Sequence, residues 1–264
     1  MEALVKDLTQ IIRKAGEIML SAHNIDNRDT VQEKAGDAAN MVTLYDVAVQ
    51  DFLIKEIKAI IPDATFIAEE KENDSNMLNG THCFVIDPID GTANFIHEYK
   101  HSCISVAMFS AGEAVLGAVY DPYLDEFFFA LKGEGASVNG RKITVSDRDM
   151  PHAILAFGTM PYFKEEFGAK TFKLAEKLFR QCSDVRRCGS AALDLVYLAA
   201  GRNDMYFEMT LYPWDFAAAQ LIVKEAGGII SDHDGNEIGF AGKTPIIAAN
   251  KKLYPLLLEE VRNI

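Results

Sequence analysis

Between residues 83 and about 145, one short apolar run follows another, and this succession constrains the fold more than any other feature. The runs read CFVID, CISVAMF, AVLGAVYD and EFFFALK, and a turn at Asn139-Gly140 comes after them. Short runs rich in β-branched and aromatic residues, separated by turn residues, are typical of strands joined by hairpins. The sequence therefore predicts an antiparallel sheet in the middle of the chain.

The second half alternates between strand and helix patterns. ILAFG, MYFEM, IISD and IIAAN read as strands, whereas GAKTFKLAEKLFRQC, SAALDLVYLAA and DFAAAQLIVKEA have the length and apolar spacing of helices. Two more helices are predicted, one up to about His23 and one from Thr43 to just before Pro62, with a polar surface loop between them. We therefore predict an α/β protein, with an α+β half over 1–147 and an α/β half over 148–264.

The charge and composition limit the partners and the cell compartment. The 264 residues carry a formal net charge of −13, without a cluster of Lys and Arg. Nucleic-acid binding depends on basic surface, so we expect no nucleic-acid partner. The pattern of a signal peptide and an apolar run of membrane-spanning length are both missing, so we expect a cytoplasmic protein with no membrane partner. The four cysteines have neither CxxC nor zinc-like spacing and are expected to be buried, reduced thiols.

The apolar run at 84–86 ends in two acidic residues. Asp87 and Asp90 lie three residues apart in FVIDPIDGTANF, and Gly91 and Thr92 follow directly. Asp-Pro and Asp-Gly are common turn dipeptides, so a tight turn is one interpretation. The other interpretation is a bound cation, because two like charges at the end of a buried strand need a counter-charge.

Three further features favour the cation. Glu69 and Glu70 end another predicted strand, TFIAEE. Asp215 lies at the start of a predicted helix, where it could also serve as the N-cap. Gly91 and Thr92 would form the first turn of a helix, whose free N–H groups bind anions. Mg²⁺ prefers oxygen ligands and keeps waters that a substrate phosphate replaces, so these residues together indicate metal-assisted phosphate chemistry.

These motifs resemble the inositol monophosphatase family of Mg²⁺-dependent phosphatases. The likeness is carried by FVIDPIDGTANFIH, the upstream AEE and the downstream WDFAAAQLIVKEAGG, and along the rest of the chain by KAGDAANMVTLYD, GEGASVNGRKI and RRCGSAALDLVYLAAGRND. The resemblance implies a layered αβαβα sandwich, a homodimer, two to three Mg²⁺ ions and inhibition by Li⁺. Met205 stands where glycine is common, close to the sugar side of the site, and bears on substrate preference.

Carried over residue by residue, the resemblance implies a set of metal ligands. One ion would bind Glu69, Asp87 and the backbone carbonyl of Ile89. A second ion would bind Asp87, Asp90 and Asp215. A third, more weakly held ion would share Glu69.

The resemblance also implies catalytic and substrate-binding residues. Thr92, oriented by Asp46, would activate the attacking water, and Glu69 belongs with them to the catalytic set. The N–H groups of Gly91 and Thr92 would bind the phosphate. The substrate itself would be contacted by Asp90, the backbone of Ala191, Glu208 and Asp215.

The activity that the resemblance implies is hydrolysis of inositol 1-monophosphate by in-line attack of a metal-activated water, with a small phosphate ester as partner. Phosphatases of the same fold that act on fructose 1,6-bisphosphate, a 3′,5′-bisphosphate nucleotide or histidinol phosphate are alternatives, over which Glu208 and GSAALD favour inositol. From a different class, a non-enzymatic regulator could keep the fold and bind a protein or RNA. The intact carboxylate set argues against that alternative.

Overall fold

The computed structural model describes residues 2–23, 25, 31–34, 41–71 and 73–264. The helices are α1 Glu2–Leu20, α2 Leu44–Ile60, α3 Thr92–Ile96, α4 Lys164–Phe179, α5 Ala191–Ala199, α6 Pro213–Glu225 and α7 Tyr254–Arg262. The strands are β1 Val31–Glu33, β2 Met41–Thr43, β3 Thr65–Ala68, β4 Cys83–Asp90, β5 Cys103–Ser110, β6 Glu113–Asp121, β7 Glu126–Leu131, β8 Gly135–Val138, β9 Arg141–Ile143, β10 Ile154–Phe157, β11 Asp184–Arg186, β12 Met205–Leu211, β13 Ile229–Ser231 and β14 Thr244–Ala249. Within these ranges, no helix has both the length and the apolar character that crossing a membrane requires.

Two large sheets contain most of the strands. In the first, seven strands lie in the order β3-β4-β5-β6-β7-β8-β9, and all neighbours are antiparallel except β3 and β4, which are parallel. In the second, the order is β11-β10-β12-β14-β13; β10 is parallel to β11 and β12, and β14 is antiparallel to β12 and β13. A separate antiparallel pair consists of β1 and β2.

The side chains of successive strand residues point to opposite faces, and both faces of each sheet are covered by helices. In β4, Phe84 packs with α1 and α2, whereas its neighbour Val85 packs with α5 and α6. In β12, Tyr206 packs with α5 and α6, whereas its neighbour Met205 packs with α4 and α7. The layers therefore alternate helix, sheet, helix, sheet, helix, and the αβαβα sandwich implied by the resemblance is confirmed.

The helix α6 lies in the middle layer. Residues 216–223 are all buried, as expected for a helix that is covered on every side. A Cβ on Gly117 of β6 would lie 2.4 Å from the carbonyl oxygen of Ala218, so glycine is needed for this close approach. Because α6 also packs against β4, its first turn carries Asp215 to the end of that strand.

The strand pattern between residues 83 and 145 is confirmed as β4 to β9. The hairpin between β8 and β9 turns at Asn139 and Gly140, both at positive φ, as a two-residue type I′ turn requires. The strand β3, which precedes this range, joins the same sheet but is parallel to β4. The segment between β3 and β4 is a crossover that returns the chain in the same direction, so these two strands are parallel.

The polar stretch after α1 was expected to be a surface loop. Its described part contains β1, which pairs with β2. The positions 24, 26–30 and 35–40 of this stretch lie outside the described residues.

Each predicted half, 1–147 and 148–264, contains one of the two large sheets. However, α5 and α6 of the second half lie between the sheets, and α6 contacts the strands β4 to β8 of the first half. The division into two domains stays a prediction.

Candidate metal and phosphate site

A cleft of about 100 Å³ lies where the ends of β3 and β4 meet the first turns of α3, α5 and α6. Asp46 is fully buried and contacts the cleft residue Thr92. The fold thus brings together all the site residues named from the sequence. Besides Thr92, the cleft is lined by Glu69, Asp87, Ile89, Asp90, Gly91, Ala191, Glu208 and Asp215.

The strand β4 continues through both aspartates instead of ending in a tight turn. Asp87 is paired with Ser105 of β5 and Asp90 with Cys103, so a three-residue step on β4 is matched by a two-residue step on β5. This is a β-bulge, and Pro88, which has no N–H to donate, suits such a position. In a regular strand, residues three apart face opposite sides. The turn interpretation is therefore wrong, and the bulge explains how both carboxylates reach one cleft.

Three of the carboxylates are each oriented by a backbone N–H group two or three residues earlier or later in the chain. Such a bond fixes one oxygen of the carboxylate and leaves the other for a second partner. The bonds join Asp46 Oδ2 to the N–H of Thr43 (2.8 Å), Asp87 Oδ1 to the N–H of Ile89 (3.0 Å) and Asp215 Oδ2 to the N–H of Tyr212 (2.8 Å).

Asp90 is instead held by a distant part of the chain. Its Oδ2 accepts hydrogen bonds from the hydroxyl of Ser190 and, at 2.7 Å, from the N–H of Ala192. Ser190 is the N-cap of α5. The positive end of this helix therefore points at the Asp90 carboxylate, an arrangement that favours its ionised form.

The carboxylates lie close together and away from water. The pKa of Asp87 is raised well above its usual value. The main cause is burial, and the negative charges of Glu69, Asp90 and Asp215 add to it. Burial is also the main reason why the pKa of Asp90 is raised to about 6 and that of Asp46 to about 7. Clustered oxygen donors that repel one another are suited to divalent cations, and Mg²⁺ prefers oxygen ligands. The residues present therefore fit the ions that the resemblance implies.

Lys34, just after β1, was not identified from the sequence. Its Nζ donates to Glu69 Oε1 at 2.9 Å and pairs with the Glu70 carboxylate. Burial acts to lower the pKa of Lys34, but the charges of the two glutamates outweigh burial and raise it. In the sequence, Lys34 is marked only as the first residue of the motif KAGDAANMVTLYD.

The backbone at the start of α3 has the geometry of an anion site. Gly91 precedes the helix at φ 90°, and a Cβ there would lie 3.1 Å from the carbonyl oxygen of His101. Glycine is thus required, and the first N–H groups of α3 have no acceptor within the helix. The Thr92 hydroxyl oxygen lies 3.4 Å from Asp46 Oδ1 and 3.1 Å from the carbonyl oxygen of Ile89.

The opposite wall of the cleft contains Glu208. Its Oε2 accepts from the Tyr206 hydroxyl at 2.5 Å, and its Oε1 accepts from the N–H of Met160 at 2.8 Å. A Cβ on Gly158 would overlap the carboxylate, at 2.0 Å, so only glycine leaves room for Glu208. Burial raises the pKa of Glu208 to about 7, although the Tyr206 hydroxyl acts to lower it. No motif marked Met160 and Gly158, because these two residues become neighbours of Glu208 only in the folded protein.

Two expectations are corrected by the geometry. Asp215 is not an N-cap, because α6 begins at Pro213 after the N-cap Tyr212, and Asp215 reaches back to that residue's N–H from the helix. Met205 does not face the substrate side, because its side chain is fully buried among residues of β10, α4 and α7.

Comparison with known proteins gives a consistent result. A model of the inositol monophosphatase family matches residues 1–264. The Nus factor SuhB of Escherichia coli is 38% identical over 267 residues, covering 100% of this chain and 97% of the relative. A solved IMPase of Thermotoga maritima has a TM-score of 0.87 at 32% identity, covering 100% of this chain and 98% of the other.

A third similar protein is SaIMPase-II of Staphylococcus aureus, which has been solved with two ligands. The structure described as bound to inositol monophosphate has a TM-score of 0.81 at 25% identity and covers 97% of this chain and 92% of the other. The structure described as bound to 2′AMP also has a TM-score of 0.81, at 26% identity, and covers 97% of this chain and 93% of the other.

Proposed function

This chain belongs to the inositol monophosphatase family, and from that premise we propose that it is a Mg²⁺-dependent phosphate monoesterase that prefers an inositol monophosphate. The proposal rests above all on one observation. Buried carboxylates converge at the end of β4, beside the glycine-initiated first turn of α3. Like-charged oxygen ligands next to free backbone N–H groups suit a phosphate bound between cations and a helix start.

The ligands proposed for the ions are those implied by the resemblance. Glu69, Asp87 and the carbonyl of Ile89 would hold the first ion, and Asp87, Asp90 and Asp215 would hold the second. A third ion would share Glu69. Bound Mg²⁺ makes a water molecule more acidic and neutralises the charge that develops on the phosphate oxygens.

The chain's own residues position the phosphate and the water. The N–H groups of Gly91 and Thr92 bind phosphate oxygens, and Gly91 allows the close approach. The Thr92 hydroxyl accepts a hydrogen bond from the attacking water and passes its own proton towards Asp46 Oδ1, 3.4 Å away. Asp46 stays in place because its other oxygen accepts from Thr43. An oriented pair of this kind is how a weakly basic hydroxyl takes part in proton transfer.

Preference for inositol comes from the side of the cleft that contacts the alcohol. Glu208 accepts hydrogen bonds from ring hydroxyls, with the Ala191 backbone as a second contact. Each oxygen of Glu208 accepts one internal hydrogen bond. A carboxylate oxygen has two lone pairs, so one acceptor position on each remains for the substrate.

A panel of phosphate esters tests the proposal. With Mg²⁺ present, inositol 1-phosphate should be hydrolysed with the highest kcat/KM, and chelation of the metal should abolish turnover. Millimolar Li⁺ should inhibit by competing for one of the ion positions. Equal activity with and without the chelator would disprove the proposed metal site.

A nucleotide substrate is the alternative with specific support, because the similar SaIMPase-II has been solved with 2′AMP. In the same panel, 2′AMP and 3′,5′-bisphosphate nucleotides should be poorer substrates than inositol 1-phosphate. The reverse order of kcat/KM would replace the inositol assignment with the nucleotide one.

The name of a group of similar proteins supports a second candidate function, that of a regulatory protein with the same fold. Nus factor SuhB proteins are similar over the whole chain. The discriminating measurement is turnover: a regulator without enzymatic activity would hydrolyse none of the esters with Mg²⁺. We also propose a homodimer, which the molar mass from light scattering tests.

A further inference from the structure

Three potential metal ligands converge outside the carboxylate cluster of the cleft. They are His101, in the loop before β5, Cys188, between β11 and α5, and Asp194, in the first turn of α5. One ligand atom of each, an imidazole nitrogen, the sulfur and a carboxylate oxygen, lies within 4.8 Å of the other two. The spacing of cysteines along the sequence does not show this group, because its members come from three separate segments.

Two of these side chains have polar atoms that lack a partner. Asp194 is 1% exposed, and its Oδ1 has no donor of normal hydrogen-bond geometry among the described residues; the Cys188 thiol, itself a member of the group, interacts with this carboxylate. The Nε2 atom of His101 is likewise buried and, within the described part of the chain, unpartnered. A buried carboxylate oxygen without a hydrogen-bond donor is unfavourable, so such an atom is suited to binding a cation.

The backbone that carries the three residues is fixed. The side-chain amide of Asn94 donates to the carbonyl oxygens of His101 and Cys188, at 2.8 Å each, and thereby ties the two segments together. Asp194 donates its N–H to the carbonyl of Ser190 within α5. The three ligands are therefore held near one another before any ion arrives.

We propose that His101, Cys188 and Asp194 form a second metal site, which binds one Zn²⁺ ion with water as the fourth ligand. A thiolate, an imidazole and a carboxylate are typical zinc ligands, whereas Mg²⁺ does not favour sulfur. Ligand atoms around a tetrahedral zinc lie roughly 3.5 Å apart, so closing from separations of at most 4.8 Å needs side-chain movements of no more than about 1 Å. On binding, the Cys188 thiol releases its proton to the solvent.

This site is next to the proposed reaction centre but does not share its ligands. Asp194 also lines the cleft, and Cys188 lies two residues before Ser190, which holds Asp90. A bound ion would fasten the start of α5 to the segment before β5.

The test uses Co²⁺ as a spectroscopic substitute for Zn²⁺, in the purified full-length chain with Mg²⁺ in large excess. A cobalt–thiolate bond gives an intense charge-transfer absorption in the near ultraviolet, which carboxylate ligands do not give. We expect this band to saturate at one equivalent of Co²⁺ and to disappear when Zn²⁺ is added. The band should persist in Asp87→Asn, which lacks a ligand of the other site.

Variants then assign the ligands. Cys188→Ser should abolish the band, and His101→Gln and Asp194→Asn should weaken Co²⁺ binding at least about tenfold. Cys182→Ser is the matched control, because Cys182 is also a half-buried free thiol but lies outside the group. No band in the wild type, a band that persists in Cys188→Ser, or equal loss in Cys182→Ser would each overturn the proposal.

A second measurement needs no variant, so it tests whether Cys188 binds Zn²⁺ even if a substituted chain fails to fold. One equivalent of Zn²⁺ should protect Cys188 of the wild type from alkylation at least about tenfold and leave Cys182 unprotected, as read by mass spectrometry of the peptides. Equal rates at Cys188 with and without Zn²⁺ would contradict the site.

Discussion

The two sides of the cleft are held in place by different kinds of contact. On the phosphate side, three carboxylates are each oriented by a backbone N–H two or three residues away. On the alcohol side, Glu208 accepts from Met160, 48 residues earlier, as well as from Tyr206 in its own strand. Asp90, between the two sides, accepts from Ala192, 102 residues later.

This difference has a consequence for function. Contacts two or three residues apart form with the turn or helix itself, so each of these three carboxylates is oriented by its own segment, although the fold is needed to bring the segments together. The alcohol side exists only when β10, β12 and α5 have packed against one another. We therefore expect changes on the phosphate side to reduce activity on every substrate alike, and changes on the alcohol side to separate one substrate from another.

The largest effect should follow from Asp87→Asn. Loss of a carboxylate proposed to bridge two ions removes several kcal/mol of charge stabilisation, so kcat should fall by at least about 10³-fold on every ester. Thermal unfolding without metal should show an equal or higher Tm, because one of several repelling charges is gone.

Asp121→Asn is the matched control for that change. Asp121 is also a fully buried strand-end carboxylate that accepts the N–H of the residue two positions later, Tyr123, at 2.9 Å. It does not line the cleft, so its variant should keep wild-type kcat. Near-normal kcat in Asp87→Asn would disprove the ligand assignment.

The next largest effect concerns the pair of Thr92 and Asp46. Thr92→Ala and Asp46→Asn should each lower kcat about 10²-fold with little change in KM, because each interrupts the same proton path. In the double variant the combined loss should be smaller than the product of the single losses. Stopped assays of phosphate release on two unrelated esters would measure this.

The alternative is that Asp46 serves only the capping box of α2. Thr43→Ala isolates that role, because it removes the side chain that caps α2 and bonds Asp46 Oδ2 but leaves Asp46 Oδ1 for Thr92. We expect it to lower stability by about 1 kcal/mol and kcat far less than Asp46→Asn. Fully multiplicative losses in the double variant would leave capping as the only role of Asp46.

The same difference between local and distant contacts explains what could be predicted from the sequence. The helix start at Thr43 and the hairpin turn at Asn139-Gly140 are short patterns with a defined local structure, and both were confirmed. The carboxylates at the end of β4 were recognised because acidic residues are unusual after a buried run. Local chemistry was therefore readable before the fold was known.

What was missed depends on contacts between distant segments. Nothing near Lys34 in the sequence shows that it reaches Glu69, and nothing near Gly158 shows that it leaves space for Glu208. The bulge in β4 was mistaken for a possible turn, because its existence depends on pairing with β5. Pairing partners and packing neighbours are set by the whole chain, and periodicity does not encode them.

On the alcohol side, Glu208→Gln should separate the substrates. Loss of a hydrogen bond to a charged acceptor is worth roughly 1.5–3 kcal/mol, so kcat/KM for inositol 1-phosphate should fall about tenfold or more. Hydrolysis of a simple aryl phosphate, which has no ring hydroxyls, should change much less. Glu225→Gln is the matched control: like Glu208, Glu225 accepts one internal hydrogen bond on each oxygen, here from the N–H groups of Gly133 and Gly135, but it lies outside the cleft. Equal losses on both esters would remove Glu208 from the specificity site.

The smallest effect should come from Tyr206→Phe, which tests how Glu208 depends on its neighbour in β12. The Tyr206 hydroxyl bonds Glu208 Oε2 and thereby lowers the pKa of that carboxyl, which burial has raised to about 7. Without the hydroxyl the pKa rises further, so less of Glu208 is ionised at pH 6.5, whereas at pH 8.5 it remains largely ionised. The kcat/KM for inositol 1-phosphate should therefore fall about threefold to fivefold at pH 6.5 and less at pH 8.5, in line with one lost hydrogen bond.

The aryl phosphate should show no such pH-dependent loss, because it does not use Glu208. Tyr254→Phe removes a hydroxyl that bonds Ser231 on another part of the fold, and it should leave both pH profiles unchanged. A loss in Tyr206→Phe that is equal at both pH values, or equal on both esters, would mean that Tyr206 only supports packing. Glu208 would then be oriented by Met160 and Gly158 alone, and its ionisation would not depend on Tyr206, its neighbour in β12.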